Sequence, residues 1–146
     1  MKVLRTNDIE QKERGGGLFK GRVTVQPVLD SDKSDLRTNI INFDKGAVNV
    51  FHVHDFDQVL YVTKGEGIIA TEKEEIRIRP GDFVVIPAGE KHWHGATPDS
   101  DFAHIAISIK GKTALARTSS CRGSRWRCTR SPSRAWRRAS ASRRPE

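Results

Sequence analysis

The sequence predicts an all-β domain, a sandwich or barrel, followed by a disordered basic tail. Short apolar runs alternate with turn residues at roughly eight- to twelve-residue spacing, as in stacked antiparallel strands. A helical period is all but missing; the one weak candidate is 7–14, stopped by Gly15-Gly16-Gly17. The basic excess is confined to the last quarter of the chain. Residues 1–110 hold 15 Lys+Arg against 17 Asp+Glu, net −2, and residues 111–146 hold 11 basic residues against one acid, net +10.

Taken in order, the strand candidates begin with 22–29, interrupted by Pro27. The next, 36–43, ends at Asp44-Lys45-Gly46, and 47–53, 58–63 and 67–71 follow. Residues 75–79 run into Pro80-Gly81, and the last two runs are 83–86 and 102–109. Gly46, Gly65, Gly81 and Gly89 fall at turns, where a positive φ is cheap only for glycine. At 146 residues and 36% hydrophobic, the chain can bury one domain core without staples.

Two segments are expected, a barrel domain over 1–112 and a tail over 113–146. The tail contains no Val, Ile, Phe, Tyr, Met or Asp, so it cannot bury enough apolar area to offset its ordering entropy. Arg with interspersed Trp could bind phosphates and stack on bases, making nucleic acid a partner through the tail alone. Its Arg/Ser/Ala/Pro/Cys/Trp composition is also what off-frame GC-rich DNA encodes, and this reading is favoured over a functional arm. Cys121 and Cys128 have no histidine or third cysteine nearby, which argues against zinc. No run approaches the roughly 18 apolar residues of a membrane span, and residues 1–9 lack the apolar core of a signal peptide. A soluble, cytoplasmic protein is expected.

All five histidines lie between positions 52 and 104. His52 and His54 are i and i+2 on a strand, so both rings leave one face. Gln58 opens the next strand, and His92 follows the turn Pro87-Ala88-Gly89. If these strands are neighbours, three imidazoles and one amide oxygen converge. An N₃O set of that kind suits divalent Mn, Fe, Co, Ni or Zn. His94 shares the face of His92 if that strand is extended, and His104 lies on 102–109 with Phe102 and Ala106 on its face. Imidazole titrates near neutrality, so both are candidate general acids or bases. The plainer reading of His104 is a satisfied core histidine, and of His94 a supporting or surface residue.

Written out, the two stretches are Gly46-x5-His52-x-His54-x3-Gln58-x6-Gly65 and Gly81-x5-Pro87-x-Gly89-x2-His92-x3-Ala96, with fifteen residues between Gly65 and Gly81. This pattern resembles the two motifs of the cupin superfamily. The resemblance implies a double-stranded β-helix, or jelly roll, with one divalent metal in the barrel and His52, His54 and His92 as its histidine ligands. Two positions depart from the family pattern: Gln58 stands for the usual glutamate and Ala96 for the usual asparagine. An amide neutralises none of the ion's charge, so a metal here would be a stronger Lewis acid, more weakly held. Gly89 to Ala96, the opening 21–29 and the inward His104 are most similar to the small manganese-dependent cupins with hydroxynitrile lyase activity.

Three functions are open to the barrel, beside nucleic-acid binding through the tail. The first is a Lewis-acid lyase, using manganese or a similar ion, that breaks a C–C bond in a small organic substrate, with His104 or His94 taking the proton. The second is a metal-dependent dioxygenase, should iron fill the site. The third is a non-catalytic small-molecule-binding module. The resemblance further implies a homodimer or homotetramer, with 22–29 as the candidate interface.

Overall fold

The computed structural model describes residues 1–116; the rest of the expected tail lies outside the described residues. The order of elements begins with a 3₁₀ turn at Thr6–Asp8. Strands β1 (Lys12–Glu13), β2 (Phe19–Lys20), β3 (Val23–Leu29) and β4 (Leu36–Phe43) come next. They are followed by β5 (Val48–Asn49), β6 (His52–His54), β7 (Gln58–Gly65), β8 (Gly67–Thr71) and β9 (Glu75–Ile78). The last four are β10 (Phe83–Ile86), β11 (His92–Ala96), β12 (Phe102–Ile109) and β13 (Thr113–Leu115).

Two antiparallel sheets face each other. One has the order β1-β3-β4-β12-β7-β10. The other runs β13-β6-β11-β5-β2, with β8 on the free edge of β11 and β9 beside β8. The expected strand 47–53 is broken at Val50-Phe51 into β5 and β6, which lie along the same edge of β11, Val48 opposite Gly95 and His52 opposite His92. This is the jelly-roll arrangement that the resemblance implies, and it fits the sandwich or barrel that the alternation and turn spacing predict.

Alternation decides what is inside. Val23, Phe43, Leu60, Val62, Ile69, Ile86, Phe102 and Ala106 point between the sheets and form one core. Trp93, between two inward histidines, points the other way and packs with Val48, Ile68 and Ala70. All four turn glycines do have positive φ, from 71° at Gly46 and Gly65 to 97° at Gly81. At Gly65 a side chain would also collide with the Asp101 backbone, so no other residue fits that turn.

Two expectations differ from the structure. The weak helix at 7–14 is a single 3₁₀ turn followed by β1, because Lys12 and Glu13 pair with Val25 and Thr24 of β3. The barrel also does not end at residue 112. Thr113–Leu115 continues it as β13, antiparallel to β6. Backbone hydrogen bonds from Asp55 N–H to Lys112 O and from Ala116 N–H to Phe51 O bracket that pairing.

Candidate metal centre

His52 and His54 leave the inner face of β6, and the cross-strand pairing of His92 with His52 brings the third ring beside them. The ring centroids of His52 and His92 are 4.3 Å apart, those of His52 and His54 4.8 Å, and those of His54 and His92 5.3 Å. One ligand atom from each can be chosen so that all lie within 4.8 Å of one another, and all three residues are buried. The turn before β11 is tied down locally. Gly89 N–H donates to His54 O, and Ala88 N–H donates to Asp57 Oδ1, at 2.8 Å each. Asp57 therefore supports the loop rather than entering the site.

The hydrogen bonds choose which nitrogen is free. His52 Nδ1 lies 2.8 Å from Val50 O and His92 Nδ1 2.9 Å from Glu90 O. A carbonyl can only accept, so both rings carry the proton on Nδ1 and leave a lone pair on Nε2. His54 Nδ1 contacts Thr113 Oγ1 at 2.9 Å, a hydroxyl that can accept from the ring or donate to it; where it accepts, Nε2 of His54 is left with a lone pair as in the other two rings. The Nε2 atoms of His54 and His92 are buried without a partner, as is Oε1 of Gln58. Gln58 stands close enough to His54 to favour its charged form. Burial outweighs this: it holds His52 and His54 down at about 4 and lowers His92 as well. At neutral pH these rings are neutral and no proton competes for the lone pairs. Orphaned acceptors of this kind, with the opposite nitrogen tethered, fit a divalent metal ion.

Behind this group lies a second pair. His94 and His104 are buried, their centroids 4.9 Å apart, and His104 is walled by Phe43 and Phe102 at 5.8 and 5.2 Å. Burial pushes His104 down to about 3 and His94 well below the usual value, with His104 itself adding to the second shift. Asn49 fixes the tautomer of His94. The His94 backbone N–H donates to Asn49 Oδ1 at 2.7 Å, which turns the Asn49 amide N–H₂ toward His94 Nε2 at 3.0 Å. His94 Nε2 therefore accepts, and the neutral ring carries its proton on Nδ1.

All six residues singled out from sequence, His52, His54, Gln58, His92, His94 and His104, are buried residues of the barrel strands. Two residues that touch the site were missed. Asn49 carried a faint signal, an amide between Val48 and Val50 in an apolar run. Thr113 carried none, since its composition groups it with the tail.

Comparison with known proteins gives four matches of note. Residues 39–108 match the Cupin domain family. The chain is 37% identical over 109 residues to an (R)-mandelonitrile lyase of Granulicella tundricola, spanning 73% of this chain and 83% of that protein. It is 33% identical over 70 residues to an acireductone dioxygenase of Leptospira biflexa, but that match spans only 45% of this chain and 37% of the relative. Among solved structures, a cupin-like protein of Thermotoga maritima superimposes with a TM-score of 0.71 at 28% identity, covering 76% of this chain and 89% of that one.

Proposed function

This chain belongs to the cupin superfamily, and on that premise we propose that it is a metal-dependent lyase cleaving a carbon–carbon bond in a small α-hydroxy substrate of the cyanohydrin type. The observation that carries this reading is the presence of two histidine groups in one barrel. One group has lone pairs free for an ion, and the other is a buried neutral pair with no ion to hold. The similarity to a mandelonitrile lyase over most of both chains supports the choice of reaction.

A divalent metal, when bound, supplies a Lewis acid that lowers the pKa of a substrate hydroxyl. We take the ion to be manganese, with iron, zinc, nickel and cobalt as ions the same donors accept. His52, His54 and His92 would hold it through Nε2, and Gln58 would offer Oε1. His104 takes the hydroxyl proton, the C–CN bond breaks, and the electron pair leaves with cyanide while the carbonyl forms. The same proton then leaves with cyanide, so the reaction is balanced without an oxidant. His94 has Nε2 occupied by Asn49 and Nδ1 protonated, so it serves as a donor that orients substrate. Burial beside the Phe43 and Phe102 rings keeps His104 unprotonated at pH 7 but makes it a weaker base, so its proton transfer relies on the substrate hydroxyl being acidified.

The test is release of cyanide and aldehyde from mandelonitrile by the metal-loaded protein and by His104→Ala. Loss of a general base predicts a fall of about 10²- to 10⁴-fold in kcat/KM with metal content unchanged. An unchanged rate with metal bound would remove the role from His104. A second reading, a dioxygenase, is favoured by the partial similarity to acireductone dioxygenase. It predicts oxygen uptake by the iron-loaded protein and no cyanide release.

A further inference from the structure

We propose that Asn49 is a positioning residue for the reaction, holding His94 as a hydrogen-bond donor aimed at the substrate. Under the lyase reading, on which this rests, Asn49 touches no substrate and acts through His94. Asn49 owes its place to an irregularity in the sheet. Val48 pairs with Gly95 and His52 with His92, so four steps along β5 and β6 answer three along β11. The extra residue falls at Val50-Phe51, a bulge in one edge of the ladder. Before it the ladder is regular, with Ala96 N–H donating to Ala47 O at 2.8 Å. At the next such position the N–H of His94 meets Asn49 and donates to its side-chain Oδ1 at 2.7 Å. Alternation sends Val48 outward to pack with Trp93 and Asn49 inward beside His94.

The two Asn49 bonds act as one device. A backbone N–H can only donate, so Oδ1 must face it, and Nδ2 is then held 3.0 Å from His94 Nε2. Turning the amide over would set donor against donor at the backbone and lose both bonds. Asn49 is 3% exposed, so its amide has no water to turn to. His94 Nε2 is thereby the acceptor, and the proton sits on Nδ1. That N–H is buried and finds no acceptor among the described residues. His104 does not supply one, since the two rings meet edge to face at 83° and both His104 nitrogens are unpartnered too. A buried donor without an acceptor is rare in a folded protein, and here it calls for a ligand that brings one.

The position of His94 suits that role. Its ring centroid lies 5.9 Å from that of His52, in the metal group, and 4.9 Å from that of His104, the base. A substrate that reaches both passes His94. A cyanohydrin carries two acceptors, the hydroxyl oxygen and the nitrile nitrogen. The hydroxyl is the end that reacts, so the nitrile is left for His94. Negative charge leaves with cyanide, and a hydrogen bond donated to that group strengthens as the charge develops. Loss of the donor therefore lowers kcat more than it raises KM.

The experiment compares wild type, Asn49→Leu and Asn49→Thr in the full chain. Leucine keeps the shape and removes both bonds, whereas a threonine hydroxyl can accept from the His94 backbone N–H and donate to Nε2. ¹⁵N NMR of the metal-free protein should show His94 protonated on Nδ1 in the wild type and in Asn49→Thr, and a mixture of tautomers in Asn49→Leu. With manganese loaded and mandelonitrile as substrate, Asn49→Leu should lose about 10- to 100-fold in kcat at unchanged metal content, and Asn49→Thr should recover most of it. Asn42→Leu is the control. Asn42 alternates with the inward Phe43 on β4 and bonds Thr24 on the outer face, so its loss should alter neither reading. If Asn49→Leu fails to fold, the wild-type and threonine spectra still decide. His94 protonated on Nε2 in the wild type overturns the proposal and leaves the lyase reading standing. So does an Asn49→Leu protein that shifts the tautomer yet keeps the wild-type kcat. A wild type with the expected tautomer that releases no cyanide overturns the lyase reading and, with it, the role given to Asn49.

Discussion

Each histidine of the candidate metal group has one nitrogen already committed, and the partner differs. Two are backbone carbonyls, Val50 and Glu90, which no substitution removes. The third is the hydroxyl of Thr113, brought opposite His54 by the pairing of β13 with β6. The hydroxyl can be deleted, which makes the tautomer argument testable at one residue. Thr113→Val should weaken metal binding about 10- to 100-fold, and Thr113→Ser should restore it. The check is a metal competition titration together with ¹⁵N NMR of His54 in the metal-free protein. In the wild type and the serine variant His54 should be protonated on Nδ1, and in the valine variant it should be a mixture of tautomers.

At the scale of elements, the segment 111–116 acts as a strap across the metal-binding strand. Lys112 N–H donates to Asp55 Oδ1 at 2.7 Å, and Asp55 N–H returns a bond to Lys112 O at 3.2 Å. Gly111 makes this approach possible, since a Cβ there would overlap the Phe56 ring and the Asp55 carboxylate. Phe56 in turn stacks on His54 at 4.8 Å. Gly111→Ala should cost about 1–3 kcal/mol by overpacking and lower metal affinity with it. Gly15→Ala, in open space, should change neither. Thermal unfolding and the same titration, run on both variants, separate the two outcomes.

The strap also marks the limit of what could be read from sequence. β3, β4, β8, β10 and β12 were legible because their alternation and bounding turns are local signals. The pair His52/His54 was legible because i, i+2 spacing on a strand fixes a face without knowledge of the partner strand. β1, β2 and β13 were not legible. Each is two or three residues long, and each exists only because a neighbouring strand offers unpaired backbone groups. The break at Val50-Phe51 was hidden for a similar reason, since β5 and β6 pair with different halves of β11. Composition drew the domain boundary at residue 112, but hydrogen bonding ignores composition.

Over the whole molecule, the cost of enclosing five neutral imidazoles should appear as pH-dependent stability. His104 is held at about 3 when folded and returns to the ordinary value near 6.5 when unfolded. Between those values the unfolded chain binds the extra proton, so folding stability is full above pH 6.5 and is lost as pH falls toward 3. For the metal-free protein this one residue should account for about 2 kcal/mol between pH 6.5 and 5. Urea unfolding of wild type and His104→Phe at both pH values measures it. The difference between the two pH values should be smaller in the variant by about that amount; equal differences would mean that His104 is not buried neutral.

The account rests on one barrel holding one ion through three histidines. The most direct measurement is metal content by mass spectrometry on the full chain purified without added metal, beside His52→Ala. The prediction is close to one equivalent of a divalent transition metal in the wild type and little in the variant, with both folded. Contradiction would be a folded wild type that carries no metal and takes up none when manganese, iron or zinc is added.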